Sequence, residues 1–131
     1  MRGARVLLLP LLFASMVTAE ELRGANDGVA CGSRAELALQ VLGSGGPELE
    51  GGRASAGYLV WVDGHARLLV DIGGGSRLRF GETAARLQDL ELLGLTHFHV
   101  DHAGDVPALV KAGYFSRRDR PLSSFAAIDA D

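Results

Sequence analysis

The stretch "LTHFHVDHAG", residues 95–104, decides how this sequence is read. It places three of the chain's four histidines and one aspartate between His97 and His102. In extended backbone, residues two apart point to one side. His97 and His99, at the end of a predicted strand, can therefore meet one cation. Asp101 and His102 follow where the chain turns towards a helix, and their side chains reach a second position close by. Imidazole with carboxylate suits Zn²⁺, Fe or Mn²⁺ better than Ca²⁺ or a thiolate-bound metal. Two metals about 3.5–4 Å apart can clamp an oxyanion and generate hydroxide at neutral pH. The bland alternative is a chance cluster of exposed loop histidines. Three of four histidines in so short a window argues against it. His65 stands apart in a predicted turn and is expected to be a surface residue.

Outward from that stretch, the pattern is of short strands followed by a helix. Downstream, "GDVPALVKAG" (104–113) reads as a helix, with Pro107 tolerable in its first turn, Asp105 at its positive end and Gly113 as its stop. Upstream, "ELLGLTH" (91–97) reads as a strand and "GETAARLQDL" (81–90) as a loop or short helix. The apolar runs at 56–62 and 66–72 are joined by Asp63-Gly64-His65, a strong hairpin signal. "LALQVL" (37–42) reads as a buried strand. The glycine stretches at 43–48 and 73–76 lack the Gly-Lys-Ser/Thr ending of a phosphate loop and the third glycine of a dinucleotide fingerprint. They read as tight turns where the backbone approaches another segment. The order predicts a mixed α/β (α+β) layered fold.

The 131 residues fit one domain at most, and 47 % hydrophobic content is enough for a core. A net charge of −3 argues against bulk electrostatic binding to nucleic acid. The N-terminus is a separate matter. Arg2 and Arg5 precede the greasy run "VLLLPLLFASMV", and Val17 to Ala19 end it with small residues before Glu20-Glu21. That is the order of a secretory signal, residues 1–19. The run falls short of the roughly 20 apolar residues a span needs, and Pro10 interrupts it, so no stable membrane anchor is expected. Cleavage after Ala19 removes two arginines and leaves 11 − 16 = −5. The expected location is secreted or periplasmic, away from intracellular RNA processing. Cys31 is the chain's single cysteine and has no partner for an intramolecular disulfide.

His97-Phe98-His99-Val100-Asp101-His102 matches the H-x-H-x-D-H motif of metallo-β-lactamase-fold hydrolases. With "LQVLGSGGP" and "AGYLVWVDGHARLLVDIGGG" upstream, the chain resembles the N-terminal part of the ribonuclease Z-like and arylsulfatase-like branch over residues 37–121. The resemblance implies the N-terminal half of a four-layer αββα sandwich. It implies His97 and His99 on a first zinc, and Asp101 and His102 on a second, with Mn²⁺ or Fe as alternatives. Asp101 would also orient the attacking water, as the catalytic residue, and Asp71 would support the site from behind. A complete member takes further ligands from its second half, whereas no histidine follows His102 here. The expected organisation is a signal (1–19), an irregular lead-in (20–36), a partial domain (37–121) and a tail (122–131), in a fragment. The implied activity is hydrolysis of a phosphodiester or sulfate ester by a metal-bound hydroxide. A small-molecule ester substrate and no nucleic acid partner are expected. The alternative is an inactive fragment, or a weak metal-binding protein without catalysis. A half-sandwich should expose an apolar face and tend to associate through it.

Overall fold

The computed structural model describes residues 36–49 and 51–127. The signal-like stretch 1–19, Cys31 and all of the lead-in but residue 36 lie outside the described residues. The first strand, β1 (Leu37–Gly43), pairs antiparallel with β2 (Gly57–Val62), which pairs antiparallel with β3 (His65–Ile72). The β2–β3 connection is the two-residue turn Asp63-Gly64, with φ of 49° and 76°. Both centres are left-handed, as a type I′ hairpin requires, and Asp-Gly tolerates that conformation at low cost. His65 begins β3 opposite Val62 rather than sitting in the turn; its exposed ring faces Asp89, with Nδ1 and Oδ2 3.4 Å apart.

After β3 the chain forms α1 (Ser76–Gly81), then crosses through residues 82–91 to β4 (Leu92–Leu95), parallel to β3. A single helical turn, α2 (Val100–Ala103), leads into α3 (Val106–Phe115). Pro107 lies in the first turn of α3, where a missing N–H costs nothing. The helix continues past Gly113 to Phe115, because an isolated glycine weakens a helix without ending it. A last strand, β5 (Ser123–Ala126), pairs parallel with β4 and completes a five-stranded sheet in the order β1-β2-β3-β4-β5. Residues 122–131, read from sequence as a tail, thus contribute a strand to the sheet.

The core lies on one face of this sheet. Leu59, Leu69 and Ile72 from the strands are fully buried with Leu90 of the crossover, against Phe80 of α1 and Leu109 of α3. Trp61 joins them and donates its indole N–H to Gln40 Oε1 at 3.0 Å. On the opposite face Leu37, Leu39, Val41 and Phe125 are exposed, and no second layer covers them among the described residues. The chain is a mixed α/β half-layer, helices on a sheet, with an apolar outer surface. Among the described residues no helix is long and apolar enough to cross a membrane.

Candidate metal centre

The four motif residues gather at the carboxyl ends of the parallel strands β3 and β4. β4 ends at Leu95, two residues before His97, so the histidines stand on the loop leaving the strand and not in it. His99 has extended backbone (φ −61°, ψ 151°) and opens α2. The loop still brings the rings together. The His97 and His99 centroids are 4.7 Å apart at 75°, and His97 and His102 are 3.9 Å apart at 46°.

Asp71 organises the cluster from beneath. It is 1 % exposed, with a left-handed φ of 54° at the end of β3. That conformation is costly for a residue with a Cβ and persists only where the surroundings impose it. Here they do. The Asp71 carboxylate accepts the Thr96 backbone N–H (2.8 Å to Oδ1), the Thr96 hydroxyl (2.8 Å to Oδ2) and His102 Nδ1 (2.8 Å to Oδ2). A carboxylate at Nδ1 is the arrangement found behind metal-ligating histidines, where it leaves Nε2 for the metal. Thr96 Oγ1 also lies 3.1 Å from His97 Nδ1 and 3.2 Å from His102 Nδ1.

His102 Nε2 and Asp101 Oδ2 are 3.4 Å apart. Two ligands on a tetrahedral zinc, at bond lengths of about 2.0–2.1 Å, stand roughly 3.3 Å apart. Asp101 and His102 thus already have the spacing of neighbouring ligands on one ion. The donor chemistry of the cluster, three imidazoles and a carboxylate, suits a borderline metal. Among the described residues, however, no three His, Cys, Asp or Glu side chains converge on one metal position. The donors pair without closing a centre.

Glycines allow this close assembly. A Cβ at Gly73 would stand 1.9 Å from the Asp101 carbonyl oxygen, and one at Gly104 would stand 2.5 Å from that of Val100. The 73–75 loop and α2 touch through bare backbone, as close approach requires of a glycine. The Asp105 N–H donates to Ile72 (2.9 Å), and the Asp105 carboxylate accepts the Arg77 N–H of α1 (3.0 Å). Of the residues named from sequence, the structure sets His102 against Asp71, Asp101 and His97, and places exposed His99 beside His97 alone. Sequence reasoning missed Thr96, the hub between Asp71 and two histidines. A hydroxyl immediately before the first histidine was the available signal.

Residues 51–118 match the metallo-beta-lactamase superfamily, and the chain belongs to that superfamily. The matched span contains Asp71 and all four motif residues. The ribonuclease Z of Methanopyrus kandleri is 40 % identical over 73 residues, 55 % of this chain and 26 % of that protein. The ribonuclease Z of Pseudomonas putida (strain GB-1) is 32 % identical over 79 residues, 60 % of this chain and 25 % of that protein. The chain therefore spans about a quarter of the length of these curated relatives. Among solved structures, the metallo-beta-lactamase fold protein YhfI of Bacillus subtilis superposes with a TM-score of 0.60 at 26 % identity, covering 72 % of this chain and 39 % of that one. Human tRNase Z, short form, gives 0.59 at 20 % identity over 70 % of this chain and 35 % of that one, a likeness of fold.

These relatives correct one expectation. A small-molecule ester substrate without nucleic acid does not agree with curated relatives that are ribonucleases by name. The net charge of −3 is an average over the chain and says nothing of local charge. Residues 111–120 alone carry Lys111, Arg117, Arg118 and Arg120 against the single anion Asp119.

Proposed function

We propose that this chain supplies the metal-binding segment of a metal-dependent phosphodiesterase that cleaves RNA, as the relatives' names imply for them. The observation that carries the reading is the Asp101–His102 pair at ligand spacing, backed by buried Asp71. A divalent metal bound here, zinc in the first instance, would supply Lewis-acid charge. His97 and His99 would hold one ion and Asp101 and His102 the other. Asp71 would fix the His102 tautomer through its 2.8 Å contact to Nδ1, and Asp101 would orient the attacking water. The ribonuclease Z similarity favours phosphodiesters over the sulfate esters that the arylsulfatase-like resemblance admitted. Because the donors among the described residues only pair, the 131-residue chain alone should turn over negligibly, while a form with a closed centre should be active.

A chimaera tests this directly. Residues 51–118 replace the matching segment of the Methanopyrus ribonuclease Z, and cleavage of the RNA that the parent ribonuclease cleaves is followed with added Zn²⁺ or Mn²⁺. Metal-dependent cleavage, with most turnover lost in Asp101→Ala, supports the reading. A folded chimaera that cleaves no RNA, or an Asp101→Ala variant as fast as its parent, overturns it. Secretion or periplasmic export is a separable part of the proposal, resting on residues 1–19 alone. Mass analysis of the exported protein should find Glu20 first, whereas only intact Met1 protein in the cytoplasm would contradict it.

A further inference from the structure

We propose that the end of α3 and the turn after it form a docking platform for single-stranded RNA, built on the Tyr114 and Phe115 rings with Lys111 and Arg117. This deepens the ribonuclease reading and rests on it. Tyr114 and Phe115 are 79 % and 70 % exposed, unusual for two adjacent large aromatics. Their rings stand 5.2 Å apart at 88°, so they present faces in two directions. Lys111 Nζ lies 5.2 Å from one centroid and 5.1 Å from the other, which sets a cation between two open stacking surfaces. Arg117 follows with a left-handed φ of 55° and forms no ion pair among the described residues.

The charge is segregated here. Residues 111–120 hold four cations and one anion, net +3, so the remaining chain carries −3 − 3 = −6. The turn is also braced. Arg118 Nη1 donates to Leu87 O at 2.7 Å and its Nη2 to Pro121 O at 3.0 Å, and Arg120 Nη2 donates to Gln88 O at 3.3 Å. Two of the four cations thus hold the turn, while Lys111 and Arg117 remain for a ligand. An apolar cavity of about 360 Å³ opens beside them, walled by Leu87, Leu109 and Leu122 with Tyr114 at its side. Aromatic faces interleaved with cations are how proteins hold single strands, bases stacking on rings and phosphates meeting the charges. A protein-docking patch would be apolar at its centre and depleted of lysine. The ten residues of α3 span roughly 15 Å, so the platform and the histidine cluster, at opposite ends of that helix, lie within reach of one short strand.

Fluorescence anisotropy of a labelled oligouridine of about 12 nucleotides, a length within the usual single-strand footprint, tests this on the purified chain in EDTA. The chelator keeps metal binding out of the measurement. Tyr114→Ala/Phe115→Ala should weaken binding about tenfold or more. Lys111→Glu/Arg117→Glu, at exposed positions that leave the core intact, should weaken it likewise. It should also lower the salt slope by about 1.4, two contacts at about 0.7 each. Arg86→Glu, the same kind of charge change on the crossover, should stay within about twofold of wild type. Wild-type binding untouched by both platform variants overturns the proposal and leaves the ribonuclease reading standing. Absence of RNA binding by the wild type at low salt overturns it too. So does sedimentation showing that Tyr114 and Phe115 hold two copies of the chain together. A chimaera that fails to cleave while this binding persists sinks the hydrolase reading alone.

Discussion

Asp71 is where backbone strain, burial and hydrogen bonding meet at one residue. Its carboxylate takes three donors, and one of them sets which nitrogen of His102 is free. Asp71→Asn isolates that role, because asparagine tolerates the left-handed backbone and still accepts the Thr96 N–H. Zinc affinity, measured by competition with a chromophoric chelator, should fall about 10–100-fold. Unchanged affinity would make Asp71 a purely structural residue. Gly73 predicts a different failure. An alanine Cβ there meets the Asp101 carbonyl, so Gly73→Ala should cost about 1–3 kcal/mol in urea unfolding and displace α2. Wild-type stability would show that the 73–75 loop yields freely. The histidines and Asp101 were legible because a metal-binding motif is contiguous in sequence. Thr96 was not, since its hydroxyl gains meaning only once β3 and β4 lie side by side and bring Asp71 beneath it.

At the scale of elements, the β2–β3 hairpin was the most legible part of the fold, because Asp63-Gly64 specifies its turn locally. Gly64→Ala forces a Cβ into a φ of 76° and should cost roughly 1–2 kcal/mol in the same unfolding assay. No loss would mean that the turn changes type without consequence. Leu69, fully buried at the centre of β3, should cost about 2–5 kcal/mol as Leu69→Ala. The short elements were hidden. α1 follows three glycines and depends on Ser76, whose hydroxyl donates to Ser55 O at 2.6 Å across the chain. β5 is four residues held by pairing with β4, and its exposed positions give no apolar alternation to read. Both are products of tertiary contact, which local propensity does not record.

The described residues form one sheet with one covered face. Leu37, Leu39, Val41 and Phe125 line the other, so the chain should bind a hydrophobic dye, and Leu39→Lys/Phe125→Lys should remove most of that signal. Equal dye binding by the variant would place the exposed apolar surface elsewhere. The central claim, though, is that a family motif on a half-layer fold seeds a metal centre without completing it. Zinc titration of the purified chain beside His97→Ala/His99→Ala, with metal content determined after dialysis, tests it most directly. The account predicts measurable but loose binding by the chain, and loss of most of it in the double variant. Wild-type zinc content retained by that variant, or none bound by the parent, would contradict it.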